Sequence, residues 1–187
     1  MDDMSAVKAA VELLHVPSRV RRARQQPLPS GLLPILQIAA GDEVVSTFAA
    51  ASLDRPPELL VEASRFFIEQ ILLSPDADSY RVLGVARSAT AGELRRNMAL
   101  LLRGLHPDLD SGTRSIYTAR VTAAWENLKT GDRRAAYEKD RRRPRSRHGQ
   151  RHIKPVRRWI RRPLSQHGSR WRHVLQFIRR LMRPSGA

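Results

Sequence analysis

Cysteine is absent from this chain of 187 residues, and only 5% of its residues are aromatic. Without cysteine the chain cannot form a disulfide, use a thiolate in catalysis or hold zinc through sulfur ligands. Because aromatic side chains are few, the 41% of hydrophobic residues must build a core mainly from Leu, Ala, Val and Ile. No run of eighteen or more apolar residues occurs, so no membrane-spanning helix is predicted.

The usual sequence signals of catalysis and of export are also missing. There is no phosphate-binding loop of the form GxxxxGK[ST] and no nucleophile elbow around a serine, so we expect no enzymatic activity and no cofactor. The acidic start Met1-Asp2-Asp3-Met4 is unlike the positively charged start of a secretory signal. We therefore expect a soluble protein of the cytoplasm, and a peripheral position at a membrane surface stays open.

Acidic residues are missing from the last quarter of the chain. Of the 34 Lys and Arg residues, 16 lie in 141–187, and the other 18 are balanced by the 18 Asp and Glu residues of 1–140. Pro144, Pro155 and Pro163 interrupt this basic tail. A charge asymmetry of this kind favours contact with an anionic surface, either nucleic acid or lipid headgroups. A solvated tail that only keeps the protein soluble is an equal alternative.

The end of the basic tail has the periodicity of an amphipathic helix, over about 169–183. The residues predicted to bind a surface are Trp171, Arg172, Leu175, Ile178, Arg179 and Arg180. Three interpretations stay open: an anchor at a membrane surface, nucleic-acid binding with Trp159 and Trp171 stacking on bases, and a helix that packs back on the protein. Binding that falls steeply with salt would indicate RNA, whereas a retained apolar component would indicate a membrane.

Residues 1–75 are predicted to form a small helical domain. Helices are expected over 5–15, 32–40, 43–51 and 56–73. Asp42 is expected to cap the third of these helices and Asp54 the fourth. The basic and Gln/Pro-rich stretch 19–30 is expected to be a loop.

Residues 76–140 are predicted to form a helical hairpin flanked by two short helices. Thr90-Ala91-Gly92-Glu93 has the capping-box pattern, which predicts a helix over 93–105. Pro107 ends that helix because its ring removes a backbone donor and clashes with the preceding turn. Further helices are expected over 113–128 and 132–139. The stretch from His106 to Gly112 then forms the tip of the hairpin.

The order of short motifs in this block resembles the J domain of the DnaJ family. The motifs are the run DSYRVLGV at 78–85, Ala89-Thr90 with Glu93-Leu94, His106-Pro107-Asp108, Ala124-Trp125 with Leu128, and Arg133-Arg134 with Tyr137-Glu138. The tripeptide alone is weak, but five segments in this order and spacing are specific. The predicted architecture is all-α: a helical N-terminal domain (1–75), a J domain (76–140), and a basic, largely disordered tail (141–187) with one amphipathic helix.

The resemblance implies a co-chaperone that docks on a DnaK-type heat-shock chaperone and stimulates its ATP hydrolysis. It assigns the docking to His106, Pro107 and Asp108, together with a basic helix face that includes Arg95, Arg96 and Arg103. The carboxylate of Asp108 is suited to pair with an arginine of the partner. Two alternatives stay open. One is a nucleic-acid or membrane adaptor whose J domain is only structural, and the other, less favoured, is a metal cluster of His106, Asp108 and Asp110. The sequence indicates no oligomeric state.

The helix before the tip departs from the family pattern. The family prefers Tyr, Lys and Arg at positions 98 to 100, where this chain has Met98, Ala99 and Leu100, and Gly104 replaces a usual basic residue. Leu100 is predicted to be exposed. Fewer positive charges predict a slower and weaker encounter with an acidic partner. Either the partner is specialised, or Leu100 and Leu102 contact something else. The zinc module and the Gly/Phe-rich stretch of general DnaJ proteins are also missing, which suggests a minimal, specialised J protein.

Overall fold

The structure is a computed structural model that describes residues 4–105 and 111–142. Within these ranges the chain has nine α-helices, one 3₁₀ turn, one π turn and no strand, which confirms the predicted all-α fold. None of the helices in the described ranges is long and apolar enough to cross a membrane. The amphipathic helix predicted over about 169–183 lies outside the described residues, as do 106–110.

The helices follow one another with short connections. They are α1 (Ser5–His15), α2 (Val20–Gln25), α3 (Leu33–Ala39), α4 (Glu43–Leu53), α5 (Pro57–Phe67), α6 (Ser79–Val82), α7 (Ala91–Gly104), α8 (Ser111–Leu128) and α9 (Gly131–Arg142). The 3₁₀ turn Pro17–Arg19 precedes α2, and the π turn Ile68–Leu72 continues α5. Together α5 and the π turn account for the single helix that was predicted over 56–73.

The stretch 19–30 was predicted to be a loop, but it contains the helix α2. The guanidinium of Arg81 donates hydrogen bonds to the carbonyls of Ala23 and Gln26, each at 2.9 Å. Arg24 is fixed in turn, since its Nε donates to the carbonyl of Gln70 at 2.7 Å. The loop prediction was wrong because these partners lie far along the chain, where local sequence patterns do not reveal them.

The two expected N-caps have different outcomes. Asp42 caps α4 as predicted, since its Oδ1 accepts a hydrogen bond from the N–H of Val45 at 3.1 Å. Asp54 does not cap α5. It ends α4 instead, in the left-handed conformation with φ of 50°, which aspartate tolerates better than most residues. The next helix begins at Pro57, whose fixed φ and missing N–H suit a first turn.

One continuous core joins the helices on both sides of residue 75. Its fully buried side chains include Leu36 and Phe67 from the first part of the chain and Leu83, Leu101 and Leu128 from the second. The helix α3 packs directly against α7. The described residues of the predicted N-terminal and J domains therefore share a core, and the predicted boundary between them stays a prediction.

Candidate functional site

A capping box fixes the start of α7, the helix that leads to His106. The Oγ1 of Thr90 accepts a hydrogen bond from the N–H of Glu93 at 3.2 Å, and the Glu93 carboxylate accepts one from the N–H of Thr90 at 2.7 Å. The hydrogen bonds that the Glu93 carboxylate accepts from the N–H and the hydroxyl of Thr90 lower the pKa of Glu93 below its usual value. The predicted capping box is confirmed, and α7 runs from Ala91 to Gly104, ending directly before Leu105.

A buried amide holds α7 against the turn that follows α6. Asn97 is 4% exposed, and its Nδ2 donates hydrogen bonds to the carbonyls of Leu83 at 3.0 Å and Gly84 at 3.3 Å. Gly84 has a φ of 61°, a conformation that favours glycine. Asn97 was not identified from the sequence. The only signal that could have found it is a polar residue on the apolar side of a predicted amphipathic helix.

The helix α8 begins two residues earlier than predicted. Ser111 and Gly112, expected in the tip, are the first residues of α8. His106, Pro107 and Asp108 lie outside the described residues, and so does Asp110 of the metal alternative. The docking role of His106, Pro107 and Asp108 stays a prediction from the resemblance, and the metal alternative stays a hypothesis from the sequence.

The three arginines assigned to docking lie on one exposed face of α7. Arg95, Arg96 and Arg103 are all exposed, and none of them forms an ion pair with another residue of the described ranges. Because a helix turns every 3.6 residues, Arg103 lies two turns after Arg95 and Arg96, and the three side chains fall within roughly 100° of the helix circumference. This side of α7 therefore presents three positive charges to solvent.

A neighbouring flank of α7 is covered by α3. Leu100, predicted to be exposed, is partly buried and packs against the core, so that prediction was wrong. Gly104 lies so close to α3 that an added Cβ would be 3.2 Å from the carbonyl oxygen of Ala39. Contacts within the chain thus account for the absence of basic residues at positions 100 and 104 of this flank. Leu102, by contrast, is 37% exposed.

Comparison with known proteins finds relatives that match about a third of the chain. The chain is 41% identical over 64 residues to a chaperone protein DnaJ of Methylobacterium nodulans. It is 39% identical over 62 residues to a curved DNA-binding protein of Coxiella burnetii, and 36% identical over 73 residues to the human DnaJ homolog subfamily C member 16. The shorter two of these matches agree in length with the block 76–140. The chain is a J-domain protein of the DnaJ family.

The matches cover 33 to 38% of this chain but only 16%, 20% and 9% of these three relatives. The chain thus spans a small part of the length of its relatives. No family model matches the chain, and no solved structure matches it.

In the J domain, the last motif packs on the first. The hydroxyl of Tyr137 on α9 accepts a hydrogen bond from the N–H of Ser79 at 2.9 Å, and its ring meets that of Tyr80 edge to face at 6.1 Å. Glu138 forms an ion pair with Arg87 at 2.8 Å. Tyr137 therefore holds α9 on α6, and Glu138 holds α9 on the segment that follows α6.

Two arginines of α9, Arg134 and Arg141, make further contacts that hold α9 on the rest of the J domain. Arg134 donates hydrogen bonds to the carbonyls of Leu128 and Ala89, both at 2.7 Å. Asp78 caps α6 and pairs with Arg141. Burial alone would raise the pKa of Asp78, but hydrogen bonds from the N–H of Arg81 and the guanidinium of Arg141 outweigh it and lower the pKa.

Proposed function

We propose that the chain is a co-chaperone that docks through its J domain on a DnaK-type heat-shock chaperone and stimulates the ATP hydrolysis of that chaperone. One observation carries the proposal: His106-Pro107-Asp108 stands complete in the sequence, three residues after a helix face with exposed arginines, in a J domain. A relative that bears the name chaperone protein DnaJ agrees with this function.

The proposed mechanism needs no active site in the chain itself. The positive charges of Arg95, Arg96 and Arg103 attract an acidic surface on the chaperone and speed the encounter. Asp108 can accept a pair of hydrogen bonds from an arginine of the chaperone, because a carboxylate matches the planar guanidinium. Pro107 restricts the backbone between the two charged or polar residues of the motif.

The experiment is steady-state ATP hydrolysis by a DnaK-type chaperone from the same source, with increasing amounts of this protein. The wild type is expected to stimulate hydrolysis and His106→Gln is expected to lose the stimulation. His15→Gln is the matched control, because His15 is an exposed histidine at the end of α1. No stimulation at saturating protein, or equal stimulation by His106→Gln, would contradict the proposal.

We further propose that the protein is cytoplasmic and that its basic tail binds an anionic membrane surface, which would give it a peripheral position. The supporting observation is the set of 16 basic and no acidic residues in 141–187, combined with the apolar stripe of Trp171, Leu175 and Ile178. Arginines 172, 179 and 180 would meet lipid phosphates while the apolar side chains enter the headgroup boundary.

Cosedimentation of the protein with vesicles of phosphatidylserine and phosphatidylcholine tests whether the tail binds a membrane. Binding that survives high salt and is lost in Trp171→Ala is expected. Binding to RNA alone, with a steep loss in salt, would favour the nucleic-acid interpretation. The adaptor alternative, in which the J domain is only structural, predicts binding through the tail without any stimulation of ATP hydrolysis.

A further inference from the structure

We propose that α3 covers one flank of α7 and thereby confines chaperone docking to a narrow outer face of that helix. The outer face consists of Arg95, Arg96, Ala99, Leu102 and Arg103. The inference rests on the proposed function and specifies which side of α7 the partner reaches. Its partner is a DnaK-type chaperone whose docking surface offers acidic side chains around an apolar contact.

Two positions one helical turn apart support the inference that α3 covers this flank. Leu100 is partly buried against the core, and at Gly104 an added Cβ would meet backbone atoms of α3, with Ala39 O at 3.2 Å and Ala39 C at 3.3 Å. Backbone atoms cannot give way as the end of a flexible side chain can. A longer side chain at position 104 would therefore require α3 to move.

The cover is a fixed part of the fold. Ile35, Leu36, Ile38 and Ala39 of α3 are each no more than 4% exposed and belong to the same core cluster as α7. The helix α3 packs on α1, α4 and α5 as well as on α7, so moving it would disturb this core and expose apolar side chains to water, which opposes the movement. A partner that docks on the folded protein thus meets α7 with this flank closed.

The outer face is what remains open on α7. Ala99 and the three arginines are exposed, and Leu102 is 37% exposed. With 3.6 residues per turn, these five positions share roughly one third of the helix circumference. They include no acidic residue, so the face combines three positive charges with an apolar centre and edge. An acidic partner surface with one apolar contact complements that pattern.

The absence of cysteine permits a direct test by thiol labelling of the full-length chain. Single-cysteine variants Ala99→Cys and Leu100→Cys probe adjacent positions on the outer face and on the covered flank. Thr47→Cys, on the exposed side of α4, is the control. In the chain alone, a maleimide is expected to label position 99 several-fold faster than position 100, and the difference is expected to vanish in urea. Equal rates in the folded chain would overturn the cover.

Adding the DnaK-type chaperone with ATP extends the test to docking. Position 99 is expected to become protected while position 47 labels at an unchanged rate. If stimulation of ATP hydrolysis persists without protection at position 99, docking on the outer face is wrong. If the chaperone gives neither stimulation nor protection, the proposed function fails, and the two rates in the chain alone still decide whether α3 covers the flank.

Discussion

Gly104 lies at the contact between α7 and α3, which come from the two halves of the described chain. In the sequence, Gly104 stands out only as a missing positive charge. In the structure it lies where the backbone of Ala39 leaves no room for a Cβ at ordinary distance. Sequence patterns could identify the departure from the family but not its cause, because the cause is a neighbour 65 positions earlier in the chain.

Replacing Gly104 should therefore cost stability even with the smallest side chain. Overpacking costs about 1–3 kcal/mol and alanine regains up to about 1 kcal/mol in a helix, so Gly104→Ala is expected to lower the free energy of unfolding by roughly 1–2 kcal/mol. Gly131→Ala is the matched control, because a Cβ there meets nothing within 4 Å, and alanine favours the helix by up to about 1 kcal/mol. Urea denaturation measures both. A Gly104→Ala variant at least as stable as wild type would contradict the close approach.

The buried amide of Asn97 gives a second prediction for a single residue. Asn97→Ala leaves the carbonyls of Leu83 and Gly84 without their donor and is expected to cost about 1–3 kcal/mol. Asn97→Asp is expected to cost more, because it places an acceptor against two carbonyl oxygens. Urea denaturation at pH 7 ranks the two variants. If the aspartate variant proves as stable as the alanine variant, Asn97 does not act as a donor.

Among the elements, those with local signals were predicted well. The capping box of α7, the cap of α4 and the apolar periodicities of α7 and α8 are properties of neighbouring residues, and their helices lie within a few residues of the predicted bounds. The helix α2 was missed, since Arg81 and Gln70 stabilise it from distant positions. Local patterns also gave no indication that α3 packs on α7.

The capping box predicts a dependence of stability on pH. Hydrogen bonds from the backbone N–H and the hydroxyl of Thr90 lower the pKa of Glu93 in the folded protein. The folded state thus binds fewer protons, and the stabilisation is complete above the unfolded pKa of about 4.3 and is lost as pH falls through the folded pKa.

Glu93→Gln removes the titrating group but keeps the shape. The difference in unfolding free energy between wild type and Glu93→Gln is expected to be constant from neutral pH to about pH 5 and to shrink at lower pH. Urea denaturation at a series of pH values measures it. A difference that stays constant down to pH 3 would show that the carboxylate has no lowered pKa.

Adjacent charge substitutions on α7 test the proposed docking by activity. Ala99→Lys restores a basic residue of the family pattern on the outer face, so it is expected to lower the concentration of this protein that half-saturates the stimulation of ATP hydrolysis. Leu100→Arg restores a second basic residue of the family pattern, on the covered flank. It is expected to bring no such gain and to reduce stability by about 1–3 kcal/mol. A folded Leu100→Arg variant that gains as much as Ala99→Lys would contradict the cover.

For the whole molecule, the family and the all-α fold were predictable from the sequence, because ordered motifs and helical periodicity both survive without tertiary information. The packing of residues 4–74 on the J domain was not predictable, because it depends on which apolar helix faces contact one another in the common core. The site was predictable only in part. The exposed arginines of α7 were identified, while the burial of Leu100 and the role of Asn97 required the structure.

The most direct test of the co-chaperone function is the single-turnover rate of ATP hydrolysis by a DnaK-type chaperone loaded with ATP. This rate isolates the hydrolysis step from nucleotide exchange. Docking of the J domain predicts a faster rate with wild type and an unchanged rate with His106→Gln. An unchanged rate with saturating wild type would contradict the co-chaperone function, even if steady-state turnover rose.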